Sequence, residues 1–240
     1  WKGTDILIEV TKILSKIMWR YMKFFLNSSD IVITPSKSSK EELIDRKITK
    51  KIISLSNGID THKFSLKKRK RKKDISLISV GRLVKSKHFD NTVRAFNYAI
   101  KRGARVKLTI VGDGPCIGKI KEYIKSENIG DRVNIQGFVS NDEIVKIYNE
   151  SDIFLTSSTI ETEGISTLES MSTGLPVIGV NARNTPRLIK DCGIVVSVNN
   201  PKEMGEAILR LSKNSKERKK LGLLARKKAK EYDIKERVKE

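Results

Sequence analysis

Histidine and cysteine are scarce in this chain, with two of each among 240 residues. Cys116 and Cys192 stand far apart without metal-binding spacing, and His62 and His88 are the only histidines. Zinc sites and histidine-based triads therefore have no basis here, and the cysteines read as small reduced residues of a cytosolic protein. Aromatic residues make up only 6% of the chain, with no aromatic-rich motif for single-stranded RNA and no recognition helix. No charge-free apolar run approaches the length that spans a membrane. Ile6–Val10 lacks the basic start and long apolar core of a signal peptide. The chain opens on Trp1 instead of Met, which suggests a processed or truncated product, or an excerpt of a longer chain.

Acidic residues are also in short supply. Against 28 Asp and Glu stand 49 Lys and Arg, a formal net charge of +21. Such a field favours polyanions or anionic surfaces, without naming one. A lysine-rich proteome of the thermophile kind gives the same excess. The remaining composition, 38% apolar and 32% charged, is that of an ordinary soluble chain, long enough for one large or two modest domains.

Residues 75–200 alternate between apolar β-type runs and helical patterns. Strands are expected at 75–80, 106–111, 133–136, 153–156, 177–180 and 194–198, with helices at 91–101, 118–125, 142–149, 165–173 and 186–190. Alternation of this kind predicts a parallel sheet with crossover helices on both faces. The continuous apolar character of the strands fits burial on both sides. Ligands of such a doubly wound α/β domain sit beyond the carboxyl ends of the strands. Five motifs fall there: Gly81-Arg82, Gly112-Asp-Gly-Pro115, Gly137-Phe-Val139, the stretch Thr156–Glu169, and Asn181–Pro186. Their convergence on one rim says more than any one of them, since Gly112-Asp-Gly-Pro115 alone is only a good turn.

The fourth of these motifs is the richest. Glu161 and Glu169 bracket Gly164, which precedes an apolar-periodic segment of Ile165, Leu168, Met171 and Leu175. The order predicts a loop carrying Glu161, a tight turn at Gly164, and a helix whose first turns carry Glu169. The free amides of that helix start, at Gly164, Ile165 and Ser166, attract phosphate. One short segment thus offers a phosphate cradle with a carboxylate on either side. Taken alone, Glu169 would equally suit a solvated acid near a helix start.

Residues 1–66 read as a different piece: a helix over about 5–26, a strand at 30–34, a capped helix after Ser36 and a strand at 51–55. That is too little for an independent α/β domain and reads as the tail of another one. Lys67–Lys73 is expected to be an exposed basic linker, extending to residue 74. The alternating α/β domain would then span 75–212, with a basic helix over 213–240. The first helix carries Lys12, Lys16, Arg20 and Lys23 beside Ile13, Ile17, Tyr21 and Phe24. A basic amphipathic helix suits an anionic membrane surface, and equally a domain helix packed on its own sheet.

In this order and spacing the residues resemble the retaining glycosyltransferases of the GT-B fold, glycosyltransferase family 4 or glycosyl transferases group 1. That group includes glycogen synthase-like, sucrose synthase-like and lipid mannosyl- and glucosyltransferases. The likeness extends over nearly the whole chain from Asp30 onward. Ile31–Ser36 and Ser56–Asp60 look like the close of a first Rossmann-like domain, and Ser79–Lys87 like the opening of a second. Val111–Pro115, Gly137–Val139, Asp152–Ser158, Glu161–Glu169 and Gly174–Ile178 follow in family order.

The resemblance implies a hexosyltransferase, metal-independent and without a cofactor, that moves a sugar from a nucleotide diphosphate-sugar to a glycan, lipid or lipid-linked acceptor. A UDP-sugar is favoured over a GDP-sugar. It assigns Arg82 and Lys87, with Gly81, to the diphosphate; Lys85 lies close enough to replace Lys87. Glu161 would hold the sugar hydroxyls and support positive charge at the anomeric carbon, and Glu169 would accept from the ribose hydroxyls. Gly137, Phe138 and Val139 would hold the base, and Gly164, Ile165 and Ser166 the phosphate. The implied location is cytoplasmic, peripheral at the inner face of a membrane.

The sequence departs from the pattern at His88, where glycine is usual, and at Glu163, expected to add negative charge near the sugar pocket. It departs also at Arg187 and at Ser170-Met-Ser172. Rival readings are a catalytically idle nucleotide-sugar-binding relative and a polyanion-binding protein. Nucleic acid as the polyanion lacks any motif in support.

Overall fold

The computed structural model describes residues 2–69 and 73–238. The chain divides into two compact units between Ser56 and Asn57, ahead of the boundary expected at residue 66. The reason is local: the Ile59 backbone bridges to Asp233, and Phe64 is buried in a core of the second unit.

The first unit runs α1 (Lys2–Ser28), β1 (Ile31–Thr34), α2 (Lys37–Asp45) and β2 (Lys51–Ser54). Ser36 caps α2, its hydroxyl accepting from the Ser39 N–H. The two strands pair in parallel. Side chains alternate across a strand, so Val32 and Ile52 enter a small core with Ile48 while Ile31, Ile33 and Ile53 are exposed. On α1 the apolar face of Ile13, Ile17, Tyr21 and Phe24 is exposed as well. Among the described residues no helix is long and apolar enough to cross a membrane.

The second unit runs β3 (Ile75–Val80), α3 (Phe89–Lys101), β4 (Val106–Val111), α4 (Ile117–Ser126), β5 (Val133–Gly137), α5 (Asn141–Glu150), β6 (Ile153–Thr156), α6 (Ile165–Ser172), β7 (Val177–Val180), α7 (Thr185–Ile189) and β8 (Gly193–Val196), then α8 (Pro201–Lys213), α9 (Ser215–Lys230) and α10 (Ile234–Arg237). Its six strands are all parallel, in the order β5-β4-β3-β6-β7-β8. The chain moves outward from β3 to β5, then returns beside β3 and moves out the other way. Between β3 and β6 the loops leave in opposite directions, which opens a crevice at the carboxyl ends of these two strands.

The sheet separates two cores, and the strand sequences show why. Leu77, Ile153, Leu155, Ile178 and Val180 point into one core with Phe96 and Val93 of α3 and Ile208 of α8. Ile78, Phe154 and Val177 point into the other with Tyr148 of α5, Leu168 and Met171 of α6, and Ala225 and Ala229 of α9. In β6 and β7, buried at every position, alternation is hidden in a nearly continuous apolar run, whereas β4 and β5 alternate with the exposed Lys107, Asn134 and Gln136.

Two expectations for the basic segments change. Lys67 and Lys68 are exposed, but Arg69 is only partly so and donates to the Thr173 carbonyl at 2.7 Å. A guanidinium at the C-terminus of a helix satisfies orphan carbonyls and meets the negative end of its dipole. Its burial lowers the Arg69 pKa from the ordinary value. Lys70–Lys72 lie outside the described residues. The C-terminal basic helix, expected over 213–240 as a separate segment, packs on this unit, with Ala225 and Ala229 of α9 fully buried in the core that holds α6. Its lysines line the opposite, solvated side.

Candidate functional site

The rim at the carboxyl ends of the strands is assembled by main chain. The Gly81 N–H donates to the Val111 carbonyl at 3.0 Å and the Leu83 N–H to Asp113 at 2.8 Å, joining the loops after β3 and β4. The Gly112 N–H donates to Gly137 at 2.7 Å, adding the loop after β5. Thr159 donates to Ser86 at 3.1 Å, and Asn184 to Glu161 at 3.3 Å, adding the loops after β6 and β7. All five loops expected to converge are thus in contact.

On this rim a cavity of about 340 Å³ is lined by Gly81, Arg82, Phe138, Val139 and Glu169, with Val80, Val111, Gly112, Asp113, Asn141 and Ile144. Its walls are mostly apolar, and its charged groups are one guanidinium and two carboxylates. Phe138 stands at its edge with 91% of its surface exposed. An aromatic ring so placed has no core to serve and offers a face to a planar ligand. Asp113, expected to be a turn residue, does hold the turn by accepting from the Gly114 N–H.

Lys87 and Glu161 lie beyond that lining and meet each other, Nζ to Oε1 at 2.5 Å, with side chains 18% and 13% exposed. Lys87 ends a short 3-10 turn, Lys85–Lys87, which the sequence pattern did not anticipate. Lys85, the alternative, is exposed. The turn closes on His88 in the left-handed region at φ 49. Glycine takes that conformation without strain, so the departure from glycine leaves the backbone path intact. Arg82 is exposed, with no ion pair among the described residues.

Between the two carboxylates Gly164 caps α6 at φ 86. No side chain caps that helix start, so the first N–H groups, of Ile165 and Ser166, remain available to an anion. Glu169, in the second turn, is half-buried and accepts from the Tyr148 hydroxyl at 3.1 Å. Desolvation raises its pKa to about 7, with the Tyr148 hydrogen bond and the charge of Lys63 opposing. Between its ordinary value of 4.5 and about 7 the folded chain holds a proton that the unfolded chain releases. The part of stability that Glu169 controls is thus greatest at low pH and falls as pH rises through this window.

Glu163, expected to add negative charge near the sugar pocket, is buried and hydrogen-bonded. Its carboxylate is 4% exposed and accepts from the Asn57 N–H at 2.8 Å and Asn57 Nδ2 at 2.5 Å. Both oxygens of this carboxylate are thus engaged by Asn57. Tyr148 was not singled out from sequence either; as a tyrosine on the inner face of an amphipathic helix it gave only a core signal. Among the described residues no group of three or more His, Cys, Asp or Glu could hold a metal ion.

Comparison with known proteins is consistent along the chain. Residues 60–228 match the family model for glycosyl transferases group 1, and residues 6–63 match that for glycosyltransferase family 4. Alpha-monoglucosyldiacylglycerol synthase of Streptococcus pneumoniae is 32% identical over 180 residues, covering 70% of this chain and 41% of that protein. N-acetyl-alpha-D-glucosaminyl L-malate synthase of Bacillus anthracis is 28% identical over 237 residues, covering 93% of this chain and 60% of that protein. Among solved structures, S. aureus TarM in complex with UDP superposes with a TM-score of 0.83 at 21% identity, covering 92% of this chain and 44% of that one. The pneumococcal O-GlcNAc transferase GtfA, in complex with UDP and GlcNAc, gives 0.80 at 22% identity, covering 91% and 45%. These structures share the GT-B fold expected from the sequence. The chain spans about half the length of the curated relatives it matches.

Proposed function

Because the chain belongs to the glycosyl transferases group 1, we propose that it carries the donor half of a retaining, metal-independent glycosyltransferase. The observation that carries this reading is the pairing of Lys87 with Glu161 beside the uncapped start of α6, at the crevice between β3 and β6. A fixed cation and free helix amides suit a diphosphate, and a carboxylate alongside suits sugar hydroxyls.

In the proposed reaction the bond from the anomeric carbon to the diphosphate oxygen breaks, and the acceptor hydroxyl attacks from the same face. Its proton passes to the leaving diphosphate, so no protein base is required and configuration is retained. Lys87, Arg82 and the α6 amides stabilise charge on the departing diphosphate. Glu161 holds the sugar and faces the positive charge building at its anomeric carbon. A glycosidase pair of carboxylates fits less well, since hydrolysis of a glycoside presents no diphosphate for a cation and a helix start to hold. UDP is favoured as the nucleotide, supported by its presence in the TarM and GtfA complexes. A lipid or glycan is favoured as acceptor, supported by relatives such as the diacylglycerol-directed synthase. The exposed apolar face of α1 beside Lys12, Lys16, Arg20 and Lys23 supports peripheral attachment to an anionic membrane.

The reading is tested by saturation-transfer NMR against UDP-, GDP- and ADP-sugars, with Glu169→Ala as control. Binding of one donor, lost in the variant, supports it; binding of none by the folded chain overturns it. Phe138→Ala should weaken UDP binding by about 1–3 kcal/mol, the usual range for a base stacked on an aromatic ring. Its melting temperature should not move, because the ring is exposed. Calorimetric titration with UDP reads the first and a thermal melt the second.

The state of Glu169 gives a pH signature. Ribose hydroxyls donate to the ionised carboxylate and so favour it over the acid. With a free pKa of about 7, a UDP-sugar should bind about tenfold more weakly at pH 6 than at pH 8. The diphosphate of a nucleotide-sugar does not titrate there, so Glu169→Gln should flatten the profile. A slope that persists in the variant would assign the effect to another group.

A further inference from the structure

We infer that Glu163 is a positioning residue of the donor site, holding the loop of Glu161 to the segment by which the chain enters this unit. The inference rests on the donor-site reading above. Asn57 immediately follows Ser56, where the first unit ends. Its backbone N–H and its side-chain amide both donate to the Glu163 carboxylate, one to each oxygen. A two-pronged bond to a charged acceptor fixes direction as well as distance, and bonds to charged groups are the stronger kind.

The loop it acts on is irregular and is held by point contacts. Between Thr156, where β6 ends, and Ile165, where α6 begins, the backbone has no regular structure. Thr159 is held to Ser86, and Asn184 donates through its backbone to Glu161 O and through Nδ2 to Glu163 O. These bonds fix the loop from the side of β3 and from the side of β7. Glu163 fixes it from the third side, two residues from Glu161 and next to Gly164, which sets the direction of α6. A shift of Asn57 therefore reaches Glu161 through the irregular loop, whereas α6, with its amides and Glu169, is held by Leu168 and Met171 in the core, and Arg82 and Phe138 sit on other parts of the rim.

That separation makes a selective prediction. Contacts to the nucleoside should survive loss of the tie, and contacts to the sugar should not. Asn57→Asp sets two carboxylates against each other. Glu163→Gln alone is mild, since Asn57 can rotate its amide to present oxygen to the new amide group. In Asn57→Asp/Glu163→Gln the backbone N–H still finds the Gln carbonyl, and the Gln amide donates to the new Asp, so the tie is rebuilt with the charge on the other partner.

The experiment measures affinities for UDP and for a UDP-sugar in the full chain and these variants, each verified as folded by thermal melting. In Asn57→Asp the affinity for the UDP-sugar should fall about tenfold, the size of one lost bond to a charged group. That for UDP should change by less than about twofold, and the double variant should recover the UDP-sugar affinity. Should Asn57→Asp fail to fold, Glu163→Ala removes the acceptor without repulsion and must show the same selective loss. A parallel fall for UDP and UDP-sugar, no fall, or a double variant that stays impaired overturns the positioning role while the donor-site reading stands. A wild-type chain that binds neither ligand overturns both.

Discussion

Lys87→Ala is expected to slow release of UDP from a UDP-sugar by about 10²–10³-fold, the usual effect of deleting one preorganised charge from a site where charge develops. Two losses combine. The leaving diphosphate would lose a cation held in place by a carboxylate and largely out of water. Glu161 would lose its partner, and the uncompensated carboxylate would then repel the diphosphate. Because charge on the leaving group grows along the reaction, kcat should fall more than affinity for the donor. Arg82→Ala should cost less and depend more on salt, since Arg82 is exposed and its charge is screened. Lys87→Arg should be intermediate, because a planar fork does not reproduce a compact ammonium. Steady-state kcat and KM for the variants decide: a rise in KM with kcat unchanged would confine Lys87 to ground-state binding.

Gly112→Ala should destabilise the chain by about 3 kcal/mol or more, the combined scale of strain at a special backbone conformation and of overpacking. A Cβ at residue 112 would lie 1.9 Å from the Gly81 carbonyl oxygen, and the backbone there has φ +135, which L side chains rarely adopt. Relief requires the loops after β3 and β4 to part, breaking the bonds of Gly81 to Val111 and of Leu83 to Asp113. The melting temperature should drop by about 6–12 °C, at about 2–4 °C per kcal/mol for a chain of this size. Nucleotide binding should weaken as well, because Arg82 lies between the two broken bonds. Gly118→Ala is the control: nothing lies within 4 Å of its Cβ and its backbone is helical, so stability should stay level or rise slightly. Equal melting temperatures for the two variants would show that the loops tolerate separation.

The strands were legible because short runs rich in β-branched residues, four to six long and bounded by turn residues, recur between helical patterns. Four of the six in the large sheet have the bounds read from sequence, and the other two differ by one or two residues. The rim was legible for a related reason: in an alternating chain, whatever follows a strand's carboxyl end faces the same edge. What stayed hidden depends on partners distant in sequence. Glu163 and Asn57 are 106 positions apart, and Glu169 and Tyr148 are 21 apart. A carboxylate inside a motif reads as charge for the ligand until the structure shows a donor waiting elsewhere. Lys85–Lys87 gave no periodic signal because three polar residues make one short turn. Arg69 was concealed by its neighbours, since a basic run reads alike at every position while its guanidinium meets the Thr173 carbonyl.

The seam that joins the loops after β3, β4 and β5 is made of peptide groups, indifferent to which side chains the loops carry. It therefore separates heritable architecture from negotiable chemistry. Outside the few glycines that the seam itself demands, exposed lining residues such as Phe138 and Asn141 can be exchanged without loosening the frame. A scaffold of that kind lets lineages change what they recognise one residue at a time, each intermediate still folded. Libraries that randomise these outward positions should consequently yield mostly foldable proteins with altered nucleotide preference.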